Sequence, residues 1–455
     1  VTKKNIQRFI ASLLAITLVT TIFSIQDVQA EEKDHLNINA EAALLLEQST
    51  GKIIYQKNID TVLGIASMTK MMSEYLILEA VSEGKLEWDD QYNVTEYVHT
   101  VSQDTSLSNV HLRRDGTYNA KELYEAMAIY SANGATIALA EMVAGSESSF
   151  VSMMNAKAEE LGLKDYKFVN STGLNNSDLY GMHPDGTAKD EENVMSARAT
   201  AQLAYHLLKD FPELLETSSI PKKSFREGTE DQIDMSNWNW MVPSLIKGYE
   251  GVDGIKTGFT DFAGYSFTGT VEREGMRFIS VVMNAKNENG NPDVEARFDE
   301  TRKLFDYGYA NYAVKEIFPA KYQIDENSNL KVLKGKDKSV DVETDEALKV
   351  LVKRGEEENF EPLYVFDEKI VSEDKEITAP FEEGIKVGYM TVNYTGDNED
   401  FGYLFDQEVD GAQADLVTKE GVEKANWFIL TMRGIGGFFA DLWSTVSSAV
   451  KGLFS

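Results

Sequence analysis

"GIASMTKMM", residues 64–72, places Ser67 and Lys70 three positions apart at the head of an apolar-periodic segment. Met68, Met71, Met72, Tyr75, Leu76 and Glu79 keep the three-and-four spacing of a helix with one apolar face, broken near Gly84. A helix read this way starts at Ser67 and carries Lys70 one turn later on the same side. Two readings follow. Serine is a preferred N-cap and lysine is common on solvated helix faces, so the pair is compatible with an ordinary helix start. It is equally the spacing that puts an amine beside a hydroxyl to be activated. Ser-x-x-Lys is too short a pattern to separate the two, and the surrounding chain has to do so.

Before the stretch, "AEAALLLEQSTGKIIYQKN" (40–58) reads as two strands joined at Ser49-Thr50-Gly51. After it, "NAKELYEAMAIYSANGATIALAEMVAG" (119–145) is helical in pattern but interrupted at Ser131-Ala132-Asn133-Gly134. That is either a break between two helices or one helix with a tolerated Ser and Asn. Residues 150–245 mix helical patterns with the polar loop "NSTGLNNSDLYGMHPDGTAKDEEN" (170–193). "VDGIKTGFTDFAGYSFTGTVEREGMRFISVVMNA" (252–285) reads as three strands with turns near Asp261 and at Glu274-Gly275, followed by a helix in "EARFDETRKLFDYGYANY" (295–312). Strands, many helices, strands and a helix favour an α+β domain with an antiparallel sheet. From about Ala313 to Val417 the alternating segments "KVLKGKDKSVDVET", "ALKVLVKRG" and "EGIKVGYMTVNY" predict a small all-β domain without catalytic candidates, a spacer or binding module.

The ends of the chain have their own patterns. Lys3, Lys4 and Arg8 precede a mainly apolar run from Phe9 to Ile25, and Val28-Gln29-Ala30 supplies small residues at cleavage spacing. This predicts a secretory signal over residues 1–30, with an uncleaved membrane anchor as the alternative. In "KANWFILTMRGIGGFFADLWSTVSSAVKGLFS" (424–455) the uncharged runs are shorter than the ~20 residues that span a bilayer. Ile435, Phe438, Phe439, Leu442, Val446, Val450 and Leu453 form one stripe opposite Asp441, Ser444, Ser448 and Lys451. We expect an amphipathic helix in the membrane surface, the alternative being a helix docked on the protein's own core. The expected divisions are therefore 1–30, 31–312, 313–418 and 419–455, in an exported protein on the outer face of the cytoplasmic membrane.

Composition narrows the chemistry. The chain has 455 residues, 42% hydrophobic and 26% charged, and a formal net charge of −31, which argues against a nucleic-acid partner. There is no cysteine, so thiol chemistry is excluded, and five scattered histidines have no metal-ligand spacing. A serine enzyme of this composition fits a base other than histidine.

Three short patterns now stand in order: Ser67-Met68-Thr69-Lys70, Ser131-Ala132-Asn133 and Lys256-Thr257-Gly258. With a helix start, a helix interruption and a strand as their settings, they resemble the penicillin-recognising serine enzymes. The closer resemblance is to the low-molecular-mass penicillin-binding proteins that are D-alanyl-D-alanine carboxypeptidases. It is carried by "GIASMTKMM", "IYSANGATIALAE", "FVNSTGL", "VDGIKTGFTDFAGYSF" and "ARFDETRKLFDYGY", and covers nearly the whole chain. The implied fold is a DD-peptidase/β-lactamase-like domain, an antiparallel sheet flanked by helices with a helical subdomain.

The resemblance also implies roles. Ser67 is the nucleophile, Lys70 its base, Ser131 a proton relay to the leaving amine and Asn133 an orienting group. The backbone N–H groups of Ser67 and Phe259 form the oxyanion hole. Lys256 and Thr257, from the Lys-Thr-Gly triplet that ends in Gly258, face the substrate's terminal carboxylate with Arg297, for which nearby Arg302 is an alternative. Chemistry agrees on the base. A free lysine has a pKa near ~10.4 and must be neutral to accept a proton; burial and a second cation push it down, and three units cost on the order of 4 kcal/mol. The implied substrates are peptidoglycan stem peptides ending in D-Ala-D-Ala, with β-lactams as covalent inhibitors and no metal or organic cofactor. A β-lactamase would need a carboxylate-activated water, for which Glu213 or Glu216 is the nearest candidate; a catalytically idle wall-binding protein is the third reading. Two stretches depart from the family pattern and bear on the cleft wall: Ala199, where some relatives carry Asp, and the long "HPDGTAKDEEN" (183–193).

Overall fold

The computed structural model describes residues 34–324, 328–396, 400–405, 413–428 and 431–432. The expected secretory signal and most of the expected membrane-surface helix lie outside the described residues. Among those described, no helix is long and apolar enough to cross a membrane. The chain divides into a unit of residues 1–38 and a unit of residues 39–455. In the first, the Ile38 amide donates to the Asp34 carboxylate at 3.0 Å and closes a turn.

The second unit is built on a five-stranded antiparallel sheet. Its order is Val252–Gly258, Tyr265–Arg273, Met276–Ala285, Ala42–Glu47, Ile53–Lys57. Ala42–Glu47 is buried along its whole length, as its unbroken apolar run requires, and it pairs Leu44 with Val281 and Leu46 with Ile279. The predicted hairpin forms because the Glu47 carboxylate accepts from the Ser49 and Thr50 amides at 2.9 and 2.8 Å. The second hairpin turns at Glu274 (φ 53°) and Gly275 (φ 76°), two consecutive left-handed residues that match the twist of the flanking strands.

Successive side chains of a strand point to opposite faces. Ile279, Val281 and Met283 join the large cluster that contains Met68, Met71, Met72 and Ile77. Phe278 faces the other way, edge-on to Tyr309 of helix Ala296–Asn311 at 4.8 Å. Helices thus cover both faces of the sheet, and helices 120–130, 133–144 and 147–160 extend the first layer into a helical lobe. The result is the expected α+β architecture.

Helix Lys70–Ser82 departs from the expectation of one apolar face. Ten of its residues are buried, among them Lys70, Ser73 and Glu74 on the side read as solvated. It runs through the middle of the lobe, so its polar groups had to find internal partners.

Beyond residue 311 a two-stranded pair, Tyr312–Phe318 with Leu348–Lys353, adjoins a six-stranded sheet. The order of that sheet is Phe360–Phe366, Lys386–Tyr394, Ala414–Thr418, Ser339–Thr344, Asn329–Leu333, Glu376–Thr378. Val340 and Val342 point into a second core with Leu330, Val387 and Leu416, while Ser339 and Asp341 face out.

Candidate active site

Ser67 lies in a 3-10 turn, Ala66–Thr69, and the α-helix starts only at Lys70. The predicted helix start is therefore displaced by one turn, and Ser67 makes no capping bond. Ala66 adopts φ 45°, and its carbonyl is packed against Gly173, where an added Cβ would lie 1.8 Å from the Ala66 oxygen. Gly258 closes on the other side, its would-be Cβ 2.6 Å from the Ile65 oxygen. Ala66, Met68 and Thr69 are buried while Ser67 reaches the cleft. The Ser67 N–H belongs to a first turn, where helical N–H groups have no intrahelical partner.

Lys70 Nζ lies 3.0 Å from Ser67 Oγ, 2.8 Å from Asn133 Oδ1 and 2.7 Å from the Thr172 carbonyl. The last two can only accept. A neutral amine has two N–H donors and one lone pair, so giving both donors to Asn133 and Thr172 leaves the lone pair for the Ser67 hydroxyl. Asn133 Nδ2 donates to the Ser108 carbonyl at 3.0 Å, which fixes its oxygen toward Lys70. Burial pushes Lys70 well below its ordinary pKa and Lys256 pushes the same way, while Glu147 opposes.

The interruption at 131–134 is a true break: helices span Ala120–Tyr130 and Asn133–Ala144. Ser131 sits at φ 60°, ψ 30°, the left-handed conformation that ends the first helix. The 108–109 loop satisfies the start of the second, with Asn133 N–H to the Ser108 carbonyl and Gly134 N–H to Asn109 Oδ1, each 2.9 Å.

Lys256 comes from the edge strand Val252–Gly258 and donates to Ser131 Oγ at 2.9 Å. Burial pushes it down to about 7, Arg297 pushes further and Glu74 opposes. Arg297 donates to the Gly258 carbonyl at 3.2 Å, and its buried Nε has no hydrogen-bond partner among the described residues. Burial pushes its pKa down to about 10. Phe259 stacks on Tyr265 with ring centres 4.2 Å apart.

These groups share a cleft of about 730 Å³ lined by Ser67, Ser131, Asn133, Thr257, Gly258, Phe259 and Arg297, with Trp238 and Leu174 on its walls. Lys70 and Lys256 lie beneath it. Arg302 is held elsewhere, donating to the Lys247 and Gly248 carbonyls at 2.6 and 3.1 Å. Glu213 and Glu216 are exposed and absent from the cleft lining. Of the two departures, Ala199 lies in helix 197–210 away from the cleft, so it does not alter the wall. The long loop reaches the cleft through Glu192, which accepts from Thr260 Oγ1 at 2.7 Å. Sequence reasoning missed the Thr172 carbonyl, since a backbone acceptor leaves no residue-type signal; its marker was the Gly173 that lets loop 170–173 approach Ala66. It also missed Ser108, whose carbonyl takes both Asn133 donors.

A family model described as D-alanyl-D-alanine carboxypeptidase matches residues 27–287, and one described as penicillin-binding protein 5, C-terminal domain, matches residues 312–424. The D-alanyl-D-alanine carboxypeptidase DacF of Bacillus subtilis is 29% identical over 434 residues, covering 95% of this chain and 98% of that protein. The corresponding DacC of Escherichia coli is 28% identical over 413 residues, 90% of this chain and 88% of its own. Among solved structures, a peptidoglycan synthesis regulatory factor (PBP3) from Streptococcus pneumoniae matches with a TM-score of 0.70 and 34% identity, covering 85% of this chain and 100% of that one. Penicillin-binding protein 5 from Haemophilus influenzae matches with a TM-score of 0.65 and 26% identity, covering 85% and 98%. Fold, motif order and two adjoining family models agree, and the chain belongs to the D-alanyl-D-alanine carboxypeptidase family.

Proposed function

We infer that this protein is a serine-type D-alanyl-D-alanine carboxypeptidase that trims peptidoglycan stem pentapeptides and is acylated by β-lactams. The observation that carries the reading is the Lys70 amine, held by two obligate acceptors with its third contact on Ser67 Oγ. Ser67 Oγ attacks the carbonyl of the penultimate D-alanine as its proton passes to Lys70 Nζ. The oxyanion that forms takes the backbone N–H groups of Ser67 and Phe259. Ser131, in contact with Lys256, returns a proton to the leaving amine, terminal D-alanine departs, and water hydrolyses the ester. Lys256, Thr257 and Arg297 receive the terminal carboxylate; Arg297 lines the cleft while Arg302 is spent on the Lys247 and Gly248 carbonyls, which supports the first over the second. Strand 252–258 is a sheet edge, which gives an extended peptide a backbone to pair with.

Ser67→Ala is expected to abolish both D-alanine release and labelling by a fluorescent penicillin while the fold persists. Mass spectrometry after penicillin exposure should place the adduct on Ser67; an adduct elsewhere, or labelling of the variant, refutes the assignment. A β-lactamase reading has less support, because neither Glu213 nor Glu216 reaches the cleft and Glu192, which does, accepts from Thr260 Oγ1 and Asn175 Nδ2; a long-lived acyl-enzyme decides against it.

We propose further that residues 31–312 are the catalytic domain, 313–418 a β-rich second domain, and 419–455 an anchor on the outer face of the cytoplasmic membrane. Deleting residues 425–455 from the signal-cleaved form should release it from membranes, and unchanged retention sinks the anchor.

A further inference from the structure

Glu147 is a fully buried carboxylate that the reaction above does not use. It opens helix Glu147–Glu160, where an acidic residue in the first turn is ordinary, but its side chain is spent elsewhere. Oε1 accepts from the Ser171 N–H at 2.8 Å and the Ser171 Oγ at 2.6 Å, and Oε2 accepts from the Tyr97 hydroxyl at 2.5 Å. The Ser171 N–H can only donate; burial pushes the Glu147 carboxyl up, and its hydrogen bonds with Ser171 and Tyr97 hold it back.

The Ser171 and Thr172 carbonyls that follow are both taken by the central helix. Ser73 Oγ donates to the Ser171 carbonyl at 2.6 Å and Lys70 Nζ to the Thr172 carbonyl at 2.7 Å. Lys70 and Ser73 are three apart, on one side of the helix, and read consecutive peptide groups of the loop. Asn170 completes the loop from within, its Oδ1 accepting from Thr172 N–H at 3.1 Å and Gly173 N–H at 2.7 Å.

We propose that Glu147 is a positioning residue for acyl transfer: it holds Ser171 by its N–H and hydroxyl, so that the next carbonyl, of Thr172, occupies one Lys70 N–H and the amine lone pair faces Ser67. The proposal rests on Lys70 being the base. Glu147 also adds a negative charge near that amine, which favours its proton against burial and Lys256. The titratable groups facing Glu147 are Tyr97, Glu141 and Lys70.

The test compares Glu147→Ala, Glu147→Gln and Lys70→Gln in penicillin acylation and D-alanine release across pH, with thermal melting to establish folding. Glu147→Ala should slow acylation about 10- to 100-fold with KM changed by less than about twofold, since an amine misplaced by an ångström loses that much. Glu147→Gln keeps an acceptor for Ser171 and should restore the rate to within about threefold of the parent. Its acid limb should move to lower pH, because a lysine without the negative neighbour loses its proton sooner; a purely structural role would not move that limb. A folded Glu147→Ala that acylates within about threefold of the parent, or a Gln variant no better than Ala, overturns the proposal. If the Ala variant does not fold, an unmoved acid limb in Glu147→Gln overturns it. Lys70→Gln separates the two failures. Acylation persisting there removes the base assignment itself, whereas an inactive Lys70→Gln beside unaffected Glu147 variants removes only the positioning role.

Discussion

Lys70 and Lys256 are two amines buried beneath one cleft, and after burial itself the Lys256 charge pushes Lys70 down. Removing Lys256 relieves Lys70 of a positive neighbour, so Lys70 keeps its proton to higher pH and the neutral amine appears later as pH rises. Lys256→Gln should therefore move the acid limb of penicillin acylation upward, the opposite sense to Glu147→Gln, and raise KM for a peptide with a free terminal carboxylate. A limb that stays in place rejects the electrostatic coupling. Glu74, one turn beyond Lys70, is pushed up to about 7 by burial, while the Tyr124 hydroxyl at 2.7 Å holds it back. The native state therefore holds this proton more tightly than the unfolded chain between about 4.5 and 7. Its contribution is fully present below that window and is lost as pH rises through it. Glu74→Gln should gain stability over the parent at pH 8, by up to ~3 kcal/mol, and lose the advantage near pH 4. Thermal melts at the two pH values check this, and an equal difference at both rejects it. Neither carboxylate was legible in sequence: Glu74 falls on a periodic helix as a solvated residue would, and Glu147 looks like a first-turn acid.

At the scale of elements, the site is a meeting of two interrupted helices, an edge strand and the loop 170–173. The break at Ser131 could be read from Ser-Ala-Asn-Gly only as one of two alternatives. What decides it is the left-handed Ser131 and a loop whose carbonyl and amide groups cap the restarted helix. The displaced start at Ser67 has a similar origin: Gly173 and Gly258 press on the Ile65 and Ala66 carbonyls and leave room for a tight turn. Gly173 itself sits at φ 83° with no space for a side chain. Gly173→Ala should cost about 2–4 kcal/mol, from strain and overpacking together, and lose most acylation in the molecules that fold. A variant with parental melting temperature and parental acylation shows that the contact is dispensable.

Across the whole molecule, residues 400–405 tie the β-rich region to the first hairpin. The Leu404 amide donates to the Gly51 carbonyl at 2.9 Å, the Ile53 amide to the Gly402 carbonyl at 3.1 Å, and Gln202 Nε2 to the Leu404 carbonyl at 3.1 Å. Leu404 is buried in the main cluster, Lys52 pairs with Asp400, and Phe405 packs edge-on against Tyr205 and His206. None of these residues lines the catalytic cleft. Leu404→Ala should therefore cost about 2–4 kcal/mol of stability and expose the junction to limited proteolysis, with acylation per folded molecule unchanged. Parental resistance to protease would show that the strap does not hold the two regions together.

The sequence by itself determined the order of the three motifs, the antiparallel hairpins and the β-rich second region. All of these are written in local spacing and periodicity, which is where side-chain chemistry and backbone preference act within a few residues. Tertiary structure alone decided that the central helix is buried on every side, that Arg297 rather than Arg302 reaches the cleft, and that Glu213 and Glu216 do not. It also decided that a carbonyl at Thr172, 102 positions from Lys70, completes the amine's hydrogen bonds. Such partners are backbone groups or ordinary residues brought together by packing, and no residue type or spacing announces them beforehand.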